Sequence, residues 1–478
     1  MQHKKIAKFF FIFCCVFFIP STANAIAPTW TAYDAGSDYS NPEGVQIRYN
    51  STTNEFGLLY FQNGSTCCSA EGDFRLYFST STDGSTLGPR TTIEHVSTNV
   101  WAQEESVVNL AVSEGGQYVY LRPSTTRSVS DGTYYGQRLS DATWVNYSPV
   151  GLSNAFTRGT LLDSSSGIFA FATAYQHDSI PANRKIIFAT TADNGINFSP
   201  TVVATDLTTQ PQQVTLVKTA SGYGIVWLDA DAILHITFST DGGATWSAPI
   251  DRPTSTEVMK AVSHISTAID ASNNIWVAYT LLSGPDMSSI TATLHLLQFS
   301  SGATDWGTDE TVDNEVATGV PAFDPSWMTA QSNALGIING TTPIIAYYKL
   351  GSAVAFSAPG YIAYALRETG TGCTGADGAN FRCGVIDSLP NETFNGFDSG
   401  SPAPMGLAIH GSRVVVAYPE NTDTYRFRVA YTNVALDSTG GGGGGGGGIP
   451  EFSTYAYITT LLVGILFISK KTAVWKEM

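Results

Sequence analysis

The feature that most narrows the folds open to this 478-residue chain is a tight corner that recurs along it. Its fullest copy is Ser-Thr-Asp-Gly-Gly-Ala-Thr-Trp at 239–246, directly after the β-branched run 233–238. Such a corner ends one strand and starts another. Asp241 can accept hydrogen bonds from turn N–H groups, and Gly242 and Gly243 tolerate positive φ. Trp246 is expected to pack back into its own sheet, leaving Asp241 in a buried corner. Eroded copies lie at 81–87, 191–198 and 376–381, and only the aromatic exit survives at Trp30, Trp144 and Trp306. Taken in order, the anchors are Trp30, Leu87, Trp144, Phe198, Trp246, Trp306 and Phe381, spaced 48 to 75 residues apart.

That period suits one four-stranded blade of a β-propeller with long loops. Between anchors the chain offers short aromatic and β-branched runs, among them 57–61, 74–78, 224–227, 275–279 and 414–418, bounded by Gly, Asn, Asp and Ser. None has helical spacing, so the expectation is all-β. The last unit, 406–437, lacks an aromatic exit, whereas Trp30 opens the series with no strands before it. Residues 30–33 therefore supply the missing outer strand of the last blade, and closure leaves no unpaired end. Seven blades follow, with six as the alternative if one unit is misread.

The corner resembles the Asp box, or BNR repeat, of sialidases and related β-propellers, written S-x-D-x-G-x-T-W. In that resemblance Asp83, Asp193, Asp241, Trp246 and Asp377 hold structural positions in the boxes. Sialidases proper have six blades, so the likeness is to motif and architecture. Their chemistry needs three convergent arginines, a Tyr–Glu nucleophile pair and an Asp acid/base. The family's F-R-I-P segment is absent. Arg158 opens an inner strand, while Arg413, Arg426 and Arg428 fall in a unit without a recognisable nucleophile. Glu104 with Glu105, or Asp229 with Asp231, could serve another hydrolase. The reading is a non-catalytic glycan- or protein-binding module; the alternative is an exo-glycosidase of the sialidase type or another glycoside hydrolase or lyase.

Strands that alternate in direction put the second-to-third loops and the inter-blade segments on one face, opposite the boxes. The candidate ligand face is Trp101, Glu104, Glu105, Arg158, His264, Asp324, Trp327 and Asp398. Trp rings can stack on apolar sugar faces while carboxylates accept from hydroxyls.

The ends predict export. Residues 1–25 carry Lys4, Lys5 and Lys8, an apolar run and Ala-Asn-Ala, the pattern of a signal peptide. The propeller takes 26–438, a poly-Gly linker 439–448, and a C-terminal sorting and transmembrane segment 449–478. Within it Ile449-Pro450-Glu451-Phe452, an apolar stretch at 455–468 and Lys470-Lys471 resemble the bacterial PEP-CTERM sorting signal, departing from it at Phe452. The resemblance implies an exosortase-like processing enzyme and delivery to the cell surface or extracellular matrix. The alternative is an uncut single-pass helix.

Without signal and tail the propeller has 18 basic and 38 acidic residues, a net of −20, which disfavours nucleic acid. Cys373 and Cys383 flank the box at 376–381 and should form a disulfide, while Cys67 and Cys68 can pair with each other or elsewhere. No cofactor or metal site is predicted, the histidines being dispersed, and structural calcium is left open.

Overall fold

The computed structural model describes the chain apart from residues 1–26, 37–41, 64–73, 97–108, 123–133, 139–141, 148–159, 166, 176–183, 192–197, 206, 258, 286–290, 318–332, 351–359, 390–404, 421–425 and 435–478. The described strands form seven four-stranded antiparallel sheets within one compact unit, Ile26–Ala435. Sheet one holds β2 (Pro42–Asn50), β3 (Glu55–Asn63), β4 (Phe74–Ser81) and β5 (Thr91–Val96). Sheet two holds β6 (Asn109–Val112), β7 (Tyr118–Arg122), β8 (Tyr134–Arg138) and β9 (Trp144–Tyr147). Sheet three holds β10 (Thr160–Ser165), β11 (Ile168–Tyr175), β12 (Lys185–Thr191) and β13 (Ser199–Ala204). Sheet four holds β14 (Pro211–Thr219), β15 (Gly222–Asp229), β16 (Ile233–Ser239) and β17 (Ile250–Pro253). Sheet five holds β18 (Met259–Ile269), β19 (Ile275–Gly284), β20 (Thr291–Phe299) and β21 (Asp309–Ala317). Sheet six holds β22 (Asn333–Ile338), β23 (Thr342–Leu350), β24 (Gly360–Leu366) and β25 (Arg382–Leu389).

Sheet seven combines β26 (Gly406–His410), β27 (Arg413–Glu420) and β28 (Arg426–Asn433) with β1 (Thr31–Gly36) from the start of the chain. Thr31 pairs with Tyr431 and Tyr33 with Val429, so the first strand is the outer strand of the last sheet. The first strands of the sheets, β2, β6, β10, β14, β18, β22 and β26, touch in a closed cycle. The architecture is an all-β propeller.

Burial follows from this arrangement. A second strand lies between two neighbouring sheets as well as between two strands, so both its faces are covered. β15 is buried at every position, and Trp227, Tyr279, Tyr347 and Tyr418 on second strands are almost inaccessible. Outer strands such as β13 and β17 keep exposed positions. The core consists of apolar layers between sheets, for example Trp276, Leu294 and Val312 against Tyr347 and Ala363.

The signal peptide, the poly-Gly linker, the sorting residues Pro450, Glu451, Phe452, Lys470 and Lys471, and the expected C-terminal helix lie outside the described residues. Among the described residues no helix is long and apolar enough to cross a membrane.

Candidate functional site

The boxes are structural corners. In the fullest one, Asp241 Oδ1 accepts from Thr245 N at 2.9 Å and Ser239 Oγ at 2.8 Å, and Oδ2 accepts from Thr245 Oγ1 at 2.6 Å. These bonds, Thr245's first, hold its carboxyl down to about 2. Two sequence expectations need correction. Asp241 is exposed, because its partners are the turn's own groups at the rim. Trp246 packs not into its own sheet alone but into a cluster shared with the preceding sheet; it lies edge-on at 5.1 Å from Phe188 of that sheet, its Nε1 donating to Gly243 O. Gly243 makes this approach possible: φ is +96°, and a Cβ there would fall 2.0 Å from Phe188 Cε1.

The same docking recurs. Asp83 accepts from Ser85, Gly84 sits against Val415, and Leu87 replaces the Trp in the cluster with Val415 and Phe427 of sheet seven. Trp144 packs on Phe78 of sheet one, and Trp30 on Tyr364 of sheet six. Trp306 donates to Ile250 O of sheet four. Asp193 lies outside the described residues. Asp377 departs from the pattern: its Oδ2 accepts from Thr311 N, on the outer strand of the preceding sheet, at 2.9 Å.

The two rims differ. On the box side, first and second strands are joined by short turns such as 220–221, 339–341 and 411–412. On the opposite side the connections include 64–73, 97–108, 123–133, 148–159, 318–332 and 390–405. Trp101, Glu104, Glu105, Arg158, Asp324, Trp327 and Asp398 belong to those connections and lie outside the described residues, as do Cys67 and Cys68.

His264 is described, half-buried on β18 within a bulge, since Val262 pairs with Leu281 and Ile265 with Tyr279. A bulge breaks the ladder locally and re-aims a side chain. Flanking first strands take up its backbone groups: Ile265 N donates to Gln213 Oε1 at 2.7 Å, and His264 O accepts from Asn333 Nδ2 at 3.0 Å. Asn333 also receives the Ser266 hydroxyl. Gln213 and Asn333 escaped sequence reasoning because an amide in an apolar run carries no mark of what it bonds.

Most other chemistry-bearing groups are engaged within a sheet or between neighbouring sheets. His235 stacks on Trp227 at 4.8 Å, with Nδ1 2.7 Å from Asp251 and Nε2 3.2 Å from Asp229. Burial pulls its pKa down, but the bonds to Asp229 and Asp251 outweigh it and leave the pKa raised. Asp229 Oδ1 caps the turn by accepting from Asp231 N and Ile233 N, and Asp231 accepts from Thr209, so this pair of carboxylates holds a hairpin. In sheet five Thr293 Oγ1, His295 and Asp309 line up at 2.8 and 3.2 Å. The order is that of a hydrolase triad, yet the imidazole stacks on Tyr279 at 4.9 Å, and Tyr279 also donates to Asp309. With His235 in the corresponding row of the neighbouring sheet, the arrangement reads as a staple across the strands of a single sheet.

Asp313, with no exposed side-chain surface, accepts from Lys349 Nζ and Tyr347 OH at 2.7 Å each and from Thr374 Oγ1 at 2.6 Å. Burial raises its pKa, and the bonds from Lys349, Thr374 and Tyr347 overcome this to leave it lowered. On the first strands Asp163 accepts from Val112 N at 2.9 Å; surrounding protein raises its pKa against the pull of Arg48. Asp163 nonetheless keeps exposed surface.

Arg413 lies 4.1 Å over Tyr431 and donates to Asp83 O, and Arg428 pairs with Asp387 at 3.1 Å. Arg426 begins β28, and Arg158 lies outside the described residues. Among the described residues no three His, Cys, Asp or Glu side chains group as metal ligands. Cys373 and Cys383 form the expected disulfide.

No protein-family model matches the chain, and no curated protein matches it. Solved structures similar to it include a protein of unknown function from Dyadobacter fermentans DSM 18053, with TM-score 0.48, 11% identity, and coverage of 85% of this chain and 98% of that one. An α-L-arabinanase from Penicillium chrysogenum complexed with arabinobiose gives TM-score 0.46, 10% identity, and coverage of 70% and 95%. The intramolecular trans-sialidase from Ruminococcus gnavus gives 0.40, 10%, and coverage of 83% and 96%. At these values no activity is carried over, and the fold stands on its own strand topology.

Proposed function

We propose that the protein is an exported, seven-bladed propeller, held at the cell surface by its C-terminal segment, that binds a carbohydrate or surface-protein partner without turnover. The observation that carries the reading is the contrast between the rims: boxes and short turns on one, with 367–381 as its long connection, and most of the long connections on the other. Loops on a rigid scaffold are the usual seat of recognition. Trp101, Trp327 and the carboxylates Glu104, Glu105, Asp324 and Asp398 fall on those connections, the composition a hydroxyl-rich ligand favours. The Cys373–Cys383 disulfide supports an oxidising compartment. Arg428 with Asp387 and Lys349 with Asp313 join neighbouring sheets, and His235 and His295 brace single sheets, engagements that favour a scaffold over a catalyst.

The test is a glycan array with the secreted protein, run beside turnover assays on a sialoside and on aryl glycosides, including arabinofuranosides. Saturable binding weakened by Trp327→Ala, with no turnover, is the expected result. Turnover abolished by Glu105→Gln or Asp324→Asn would replace this reading with a glycosidase.

A further inference from the structure

We infer that the Cys373–Cys383 disulfide is a redox clasp that fastens sheet six onto the outer edge of sheet five. In sheets one, four and five the third-to-fourth connection closes onto its own third strand: Gly88 N bonds Thr80 O, Ser247 N bonds Phe238 O, and Gly307 N bonds Gln298 O. The longer connection at 367–381 instead lays part of itself along β21. Gly375 N donates to Val312 O and Asp377 N to Thr311 O, both at 3.0 Å. Asp377 Oδ2 accepts from Thr311 N at 2.9 Å, and Thr374 Oγ1 accepts from Asn314 N at 3.2 Å while donating to Asp313. A side chain at 375 would put its Cβ 2.0 Å from Thr311 O, so Gly375 permits the approach. The segment thus caps a strand edge that would otherwise be open for pairing.

The disulfide is placed to control that cap. Cys373 immediately precedes Thr374, and Cys383 lies on β25, the strand that leads away from the segment. Tyr347 OH, which donates to the buried Asp313, is 3.9 Å from Cys383 Sγ, so the sulfur borders the Asp313–Lys349 pair. Both cysteines are half-buried, and Gly372 and Thr374 beside Cys373 are exposed, which leaves an approach for a small dithiol.

A dithiol reductant delivers two electrons and two protons. The S–S bond breaks, Cys373 and Cys383 become thiols, and the dithiol leaves as its own disulfide. The segment then keeps its end bonds, Cys383 N to Thr371 O and Gly370 N to Ala379 O, but loses the covalent tie beside Thr374. Its departure from β21 removes the partners of the Thr311 and Asn314 amides and one donor to Asp313. The seam between sheets five and six opens locally, while the other sheets stay closed.

Hydrogen exchange on the full protein, oxidised and after dithiothreitol, tests this, with alkylation mapped to Cys373 and Cys383 to confirm reduction. Peptides covering 309–317 and 370–381 should exchange at least about tenfold faster once the thiols are free, whereas those covering 214–229 and 413–420 should not change. The Cys373→Ser/Cys383→Ser variant should behave as the reduced protein. Thr374→Val, with the disulfide intact, should release the Asn314 amide alone. Unchanged exchange at 309–317 in fully alkylated protein would overturn the inference. So would loss of protection in all sheets, which would make the bond a staple of the whole ring.

Discussion

The docking of the fullest corner on the preceding sheet can be weighed by comparing two adjacent glycines. Gly242 and Gly243 both have positive φ, +75° and +96°, but their surroundings differ. A Cβ at 242 would meet nothing within 4 Å, whereas one at 243 would fall 2.0 Å from Phe188 Cε1. Gly242→Ala should therefore show the left-handed backbone cost alone, about 1–2 kcal/mol. Gly243→Ala adds overpacking against the next sheet, typically about 1–3 kcal/mol more. The smaller conformational entropy of the unfolded chain with Ala favours both variants alike, so it cancels in the difference. Urea unfolding followed by Trp fluorescence measures both, and Phe188→Ala in the Gly243→Ala background should recover much of the extra loss. Equal destabilisation by the two variants, or no recovery, would refute the claim that the corner bears on the neighbouring sheet.

Two further outcomes follow from the buried charges. Because the folded pKa of His235 is raised, its bonds to Asp229 and Asp251 stabilise the protein fully below the unfolded value near 6.5, and that contribution is lost as pH rises through the folded pKa. Thermal unfolding scanned upward from pH 6 should show the decline, and His235→Gln should flatten it. Lys349→Met takes the Lys349 cation away from the buried Asp313 carboxylate and should cost about 3–5 kcal/mol, while Lys349→Met/Asp313→Leu should regain most of it in chemical denaturation.

The corners were legible in the sequence because turn chemistry is local. Asp241, Gly242 and Gly243 announce their turn without help from the rest of the chain, and the recurrence of their aromatic exits marks out the sheets. Ring closure was legible too, from Trp30 arriving before any strand and 406–437 lacking an exit. What Trp246 touches was not, since Phe188 lies 58 residues upstream and nothing near Trp246 points to it. Asp313 sits in Asp-Glu-Thr-Val-Asp-Asn-Glu, which reads as a solvated acidic strand, and Lys349 ends an apolar run that reads as a rim. Only packing two sheets together turns them into a buried pair. Of the expected ligand face, His264 is the residue the described strands position, and they do so through amides whose partners lie on neighbouring strands.

The pairing of Thr31 with Tyr431 also sets an order of events. Among the described strands β1 is made first and its partner β28 last, so the earliest strand waits unpaired while six sheets take shape. Contacts this distant in sequence slow folding and leave a bare edge for as long as they are missing. Truncation shortly before β28 would therefore strand both ends at once: sheet seven would lose a middle strand, and Thr31–Gly36 would have no partner. Closure of the last sheet is in this sense checked by the first strand.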